Sequence, residues 1–382
     1  MANGGHLESA YEQISDWWTQ HVLYDPAHDF QLEAVFEESH CILGGLKRLQ
    51  FLGPESGDDE VELISDRPEP GSGKLEDAMV RNDLKSEGGV VDEVTRLRAG
   101  IAAFCDRVQS TQGIQGAEDA LFMGYGLRRR DGMIEHSCVA DQGSSANAVL
   151  DAVRILGDHP NREGWLQTIE RWVGWVRREF IGPDGGIGSG TVSFEWNPMP
   201  VYWCATTLFT AALFRLARLT GRSDDIEEAM AGLGWLARFD FAKAVIPDFS
   251  TSPGGVLLYL SEGLAEGLDF LERTEGREVA RNHPAAAKAT EVLTWLVEHQ
   301  SETGSWPEPP TRGHRTYEIG LPWLILRMNR ILGPDPRWEA SADRFLRHLV
   351  SDAGVDTYGL YVRPWAMGLA QLSLGERLLE VD

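Results

Sequence analysis

The 382-residue chain is poor in the features that would place it quickly. Its four cysteines, Cys41, Cys105, Cys138 and Cys204, form no closely spaced framework, so a disulfide scaffold is excluded and buried, reduced thiols are expected. Basic residues are scarce: 35 Lys and Arg stand against 59 Asp and Glu, a formal charge of −24. That balance argues against nucleic acid or an anionic membrane as partner and fits a cytoplasmic protein. No dinucleotide-binding or P-loop glycine pattern occurs. Residues 1–22 are polar, with no apolar stretch of the kind an export signal needs. One uncharged run, Trp196 to Phe214, approaches membrane-spanning length, but Asn197, Pro198 and Pro200 break its start. Its second half reads as a buried helix, so no integral membrane segment is expected.

What the chain has is a rhythm. Apolar, small-residue-rich helical patterns at 142–157, 201–219, 255–274, 317–332 and 363–379 alternate with charged amphipathic ones at 163–180, 225–238, 284–300 and 336–350. The apolar set starts near Asp141, Val201, Val256, Tyr317 and Arg363, a repeat of one helical hairpin. Helices over 6–22, from about Phe30 to Leu52, and over 92–109 bring the total to about twelve. The expected fold is all-α: one (α/α)6 toroid domain over 1–382, with apolar helices inside and charged ones outside. Residues 53–90 are acidic and rich in Gly and Pro, a long loop and a candidate lid. A short hairpin is expected around Arg130-Asp131-Gly132.

The loops before the inner helices would converge on one end of such a barrel, the natural place for chemistry. Each carries an acid beside aromatics and glycines: Asp141 after His136 in EHSCVADQG, Glu195 in SFEWNPMPVYW, Asp248 in VIPDFSTSPGG, Glu318 in RGHRTYEIG. Asp356, Tyr358, Tyr361, Arg363 and Trp365 lie together in DTYGLYVRPW. Two carboxylates in unlike surroundings can divide the acid and base roles. The candidate catalytic set is therefore Asp141, Asp248, Glu195 and His136. The candidate substrate-binding set is Trp196, Tyr202, Trp203, Tyr259, Tyr317, Glu318, Trp323, Tyr358, Arg363 and Trp365, rings that can face a cation or stack on a sugar. The plain alternatives are that Asp141, Glu195 and Asp248 cap helices and that the rings fill the core. No cofactor is implied. The runs Asp224-Asp225-Ile226-Glu227-Glu228 and Asp58-Asp59-Glu60-Val61-Glu62 have the shape of Mg²⁺ motifs, but helix-start and loop acids look the same.

The stretch from Trp295 to Trp306, W-L-x3-Q-x3-G-x-W, resembles the QW repeat of squalene–hopene-type terpenoid cyclases and their protein-prenyltransferase relatives. Gln300 can bond helix-end carbonyls or the next turn, Gly304 permits the exit from the helix, and Trp306 can fold back. Residues 172–190 carry a degenerate copy with Phe180 in the Gln position. The resemblance implies acid-initiated chemistry on an isoprenoid, although the Asp-x-Asp-Asp acid motif of the cyclases is missing, so Asp141 or Asp248 would supply the proton. The same organisation is also similar to cytosolic carbohydrate-active toroids, namely hydrolases of unsaturated uronides, epimerases and lyases. Asp184-Gly185-Gly186 and Asp141-Gln142-Gly143 suit that group. The expected partner is a small molecule, isoprenoid first and saccharide second. A toroid that only binds a ligand or protein on its rim is a third reading.

Overall fold

The helical spacing of the sequence produces fourteen α-helices among the described residues of a computed structural model. Those residues are 4–21, 35–52, 87–113, 119–121, 139–191, 197–201, 203–240, 253–306, 315–361 and 364–379. In chain order the helices are α1 (Gly4–His21), α2 (Val35–Leu52), α3 (Glu87–Ser110), α4 (Val139–Ile155), α5 (Arg162–Glu179), α6 (Trp203–Thr220) and α7 (Ser223–Arg238). Then follow α8 (Pro253–Glu275), α9 (Arg277–Asn282), α10 (Pro284–His299), α11 (Leu321–Leu332), α12 (Pro336–Leu349), α13 (Asp352–Tyr358) and α14 (Pro364–Leu379).

Helices α2, α4, α6, α8, α11 and α14 pack in that cyclic order, and α14 returns to α2, so the inner wall closes. Helices α3, α5, α7, α10 and α12 each pack behind an inner helix, and α1 packs on α14. The seam between first and last inner helices is held by two glycines. A Cβ on Gly368 would lie 2.6 Å from Cys41 Cα, and one on Gly44 would lie 2.7 Å from the Gly368 carbonyl oxygen. No side chain fits there, so the backbones meet directly. No helix among the described residues is long and apolar enough to cross a membrane.

Several boundaries differ from the sequence expectation. The segment assigned to a loop up to residue 90 is helical from Glu87, because Gly88 and Gly89 weaken a first turn without forbidding it; residues 53–86, and with them the candidate lid and the Asp58–Glu62 run, lie outside the described residues. So does the hairpin expected at Arg130-Asp131-Gly132. Helix α4 starts at Val139, which puts Asp141 inside its first turn rather than before it. A 3-10 turn, Arg315–Gly320, precedes α11. A two-stranded antiparallel hairpin, β1 (Gly188–Thr191) with β2 (Asn197–Val201), links α5 to α6. It is anchored where the Ile187 N–H donates to Thr206 Oγ1 at 2.8 Å.

The Gln300–Trp306 motif does a structural job. Gln300 Nε2 donates to the carbonyls of Gly304 (2.7 Å) and of Ser341 on α12 (2.9 Å), and Ser341 Oγ donates back to Gln300 Oε1 (2.9 Å). Gly304 takes φ +105°. Trp306 Nε1 donates to the Leu296 carbonyl at 2.7 Å, one of the last four of α10 that the helix itself cannot satisfy. Two earlier turns use the same device with other residues. Gln112 Nε2 donates to the Thr168 carbonyl of α5 (3.0 Å), and Asp184 Oδ2 accepts from Trp235 Nε1 of α7 (3.1 Å). In each case the turn after one outer helix is fastened to the next outer helix.

Candidate functional site

The inner helices run parallel, so their N-terminal ends gather at one mouth. Asp141 sits in the first turn of α4, Cys204 in that of α6, and Trp365 in that of α14. Tyr259 lies on the second turn of α8, and Tyr317 on the 3-10 turn before α11. Three rings form a chain across this mouth: Tyr259 to Tyr317 with centroids 5.7 Å apart, edge to face, then Tyr317 to Trp365 at 5.4 Å. Tyr259 and Trp365 are buried, while Tyr317 is only half-buried. The chain thus presents the middle ring. The Tyr259 phenol is hydrogen-bonded to Tyr317 and held well above the ordinary phenol range. Burial is the main cause, and the neighbouring charges of Tyr317, Cys204 and Asp141 add to it. Tyr259 therefore stays a neutral hydroxyl, with the Asp141 carboxyl in its electrostatic reach.

Glu318, next to Tyr317, turns the other way. It is 1 % exposed and accepts a hydrogen bond from Tyr358 Oη, also 1 % exposed, at 3.1 Å. Tyr358 in turn packs on Phe345 (5.5 Å) and His348 (5.9 Å). The pair lies within the wall and braces the turn that carries Tyr317. Trp323 is likewise buried in the wall on α11. Glu195, Trp196, Asp248, His136, Tyr202 and Arg363 lie outside the described residues; of Trp203 only the backbone, at the start of α6, is described.

The Mg²⁺-like run on α7 is occupied by a cation already in the chain. Arg177 of α5 donates to Asp225 Oδ1 (2.7 Å) and Glu228 Oε2 (2.6 Å). Asp225 and Glu228 thus clamp two outer helices through Arg177. Sequence reasoning did not single out Thr206 at the mouth, nor Gln112 in its turn. A Gln-Gly pair after α3 was the available signal for the last.

No family model and no curated relative matches the sequence. Solved structures do match in shape. A possible member of the GH105 family from Salmonella enterica superposes with a TM-score of 0.60 at 13% identity, covering 97% of this chain and 94% of its own. The GH76 α-mannanase from Bacteroides thetaiotaomicron gives 0.55 at 9% identity, covering 92% and 88%. A cellobiose 2-epimerase from Bacillus thermoamylovorans gives 0.54 at 8% identity, covering 90% and 87%. The fold is the (α/α)6 toroid.

These neighbours overturn the terpenoid-cyclase resemblance and the isoprenoid chemistry drawn from it. They match over nearly the whole chain, whereas the resemblance covers the helical-hairpin organisation of roughly residues 92–379 and matches the repeat motif well only at 295–306. Its physical basis is also general: a Gln, a Gly and a Trp that fasten one outer turn serve any ring of antiparallel helix pairs, whatever it encloses.

Proposed function

We propose that the chain is a carbohydrate-active enzyme, a glycoside hydrolase, lyase or epimerase, working at the mouth of the toroid, with 1–382 as one catalytic domain. The observation that carries this reading is the half-buried Tyr317 ring, flanked by Tyr259 and Trp365 at the end of the barrel that also holds Asp141. A pyranose offers C–H groups on one face and hydroxyls at its edge. A ring chain takes the first, and neutral phenols and a carboxyl take the second. The GH105, α-mannanase and cellobiose-epimerase names of the shape neighbours support a saccharide as the substrate class.

In this reading Asp141 is an acid or base at the reacting bond. The second carboxyl is Glu195 or Asp248, each in a segment leading into an inner helix. Tyr259 supplies a hydroxyl that does not ionise at neutral pH. The test is turnover of unsaturated uronides, mannans and cellobiose by the wild type and by Asp141→Asn. The wild type is expected to convert one of these classes, and the variant to lose about 10²–10⁴-fold in kcat while melting at the same temperature. A folded wild type inert on the whole panel, or a fully active Asp141→Asn, overturns the reading.

A further inference from the structure

One buried amide in the first turn of α4 joins three parts of the chain. Gln142, next to Asp141, is fully buried. Its Oε1 accepts from Trp172 Nε1 of α5 at 2.7 Å and from the Leu121 backbone N–H at 3.3 Å. Both donors are themselves fully buried. Leu121 follows two residues that are tied down on their own account. Gln112 Nε2 donates to the Asp119 carbonyl at 3.0 Å, the Gly113 N–H donates to the Ala120 carbonyl at 2.9 Å, and Arg178 of α5 meets the Asp119 carboxylate at 2.9 Å. Trp172 packs edge to face on Phe209 of α6, with centroids 5.6 Å apart. The residue after Gln142 is Gly143, where a Cβ would lie 2.8 Å from Leu208 Cβ of α6. The first turn of α4 is thus located from behind by Gln142 and from the side by Gly143.

Packing alone would not call for an amide at this position. An apolar side chain would fill the same space and leave two buried N–H groups without an acceptor, at about 1–3 kcal/mol each. A carbonyl oxygen has two lone pairs, and here both are taken, so the oxygen is fixed in two directions at once. The next hairpin uses half of the device. The Ile187 N–H, after α5, donates to Thr206 Oγ1 in the first turn of α6 at 2.8 Å. That hydroxyl holds one segment, whereas Gln142 holds two, and Gln142 is the one that adjoins an acid at the mouth. We propose that Gln142 is a positioning residue for Asp141: it holds the first turn of α4 against Trp172 and Leu121, and so keeps the Asp141 carboxyl within reach of Tyr259. The benefit to turnover rests on the carbohydrate reading; the placement of the carboxyl does not.

Placement is tested without substrate. A carboxyl reports its surroundings through its titration, followed here by carbon-13 NMR and assigned to Asp141 by its absence from Asp141→Asn. Gln142→Met keeps the length of the side chain and removes the acceptor. Trp172→Phe removes one donor and leaves the amide paired with Leu121, a milder break of the same tie. The Asp141 midpoint is expected to move by about half a pH unit or more in Gln142→Met, and in the same direction by less in Trp172→Phe. Ser341→Ala breaks the side-chain bond to Gln300 on the outer wall. It should lower the melting temperature and leave that midpoint in place. A midpoint unmoved in both mouth variants, or moved as far by Ser341→Ala, overturns the proposal. With unsaturated uronides, mannan and cellobiose as substrates, Gln142→Met is expected to lose about 10²-fold in kcat at unchanged KM, well below its melting temperature. Wild-type kcat in a folded Gln142→Met would make the amide purely structural and overturns the positioning role. A fully active Asp141→Asn would instead strike the carbohydrate role of Asp141 and leave the titration result standing.

Discussion

Single residues decide how tightly the rim is fastened. Gly304 takes φ +105° while a Cβ there would lie 2.7 Å from the Arg344 carbonyl oxygen, so the position is closed to other residues twice over. Gly304→Ala is expected to lower stability by about 1–3 kcal/mol, measured by urea unfolding. Trp306→Phe keeps the stacking on Phe345 at 5.0 Å but leaves the Leu296 carbonyl unserved, at about 1 kcal/mol. Equal stability of both variants with wild type would show that the turn carries no load. These residues were legible from spacing alone, as were Asp141 and Tyr317 at the mouth. What they enclose was not. Gln300 and Trp306 act on backbone carbonyls, and a contact to backbone says nothing about a substrate. Nor could the sequence tell that Tyr317 joins the ring chain of Tyr259 and Trp365 while Glu318 is buried against Tyr358.

At the scale of the element, α8 shows where pattern reading stops. Its apolar average marked it correctly as an inner helix, and the same average concealed the buried acids Glu262, Glu266 and Asp269. The pH dependence of stability follows from these acids. Burial opposes ionisation, yet Glu266 and Asp269 are held below the ordinary carboxylate range, Glu266 by the attraction of Arg215, Arg327 and Arg218 and Asp269 by that of Arg327, Arg218 and Arg273, and Lys47 and Arg330 do the same for Glu376. Their contribution is present above pH 4.5 for the two Glu residues and 3.8 for Asp269, and is lost as pH falls through the depressed values. Glu262 has the opposite sign. Its stabilisation is complete below 4.5 and is lost as pH rises through about 7, on the order of 3 kcal/mol. Melting temperature should therefore fall as pH rises from about 4.5 to about 7 as well as in stronger acid, and Glu262→Gln should flatten only that upper limb. Arg327→Met leaves Glu266 and Asp269 short of a partner and should cost about 3–5 kcal/mol, with acid unfolding moved to higher pH. A wild-type-like acid limb in that variant would refute the assignment.

For the whole molecule, the hairpin repeat announced a ring, and five inner helices could be read from their small-residue bias. The sixth, α2, could not, because its partner α14 lies at the far end of the chain and the fit between them is made by Gly44 and Gly368. Closure of this ring brings helix N-termini from distant parts of the sequence to one mouth, and it is closure that sets Asp141 near the Tyr259–Tyr317–Trp365 chain. The most direct test is a crystal structure of Asp141→Asn with the saccharide that the wild type converts. A sugar ring is expected to lie on Tyr317 between Tyr259 and Trp365, its reacting bond within hydrogen-bond reach of position 141. A sugar held on the outer helices, or at the opposite end of the barrel, would contradict it.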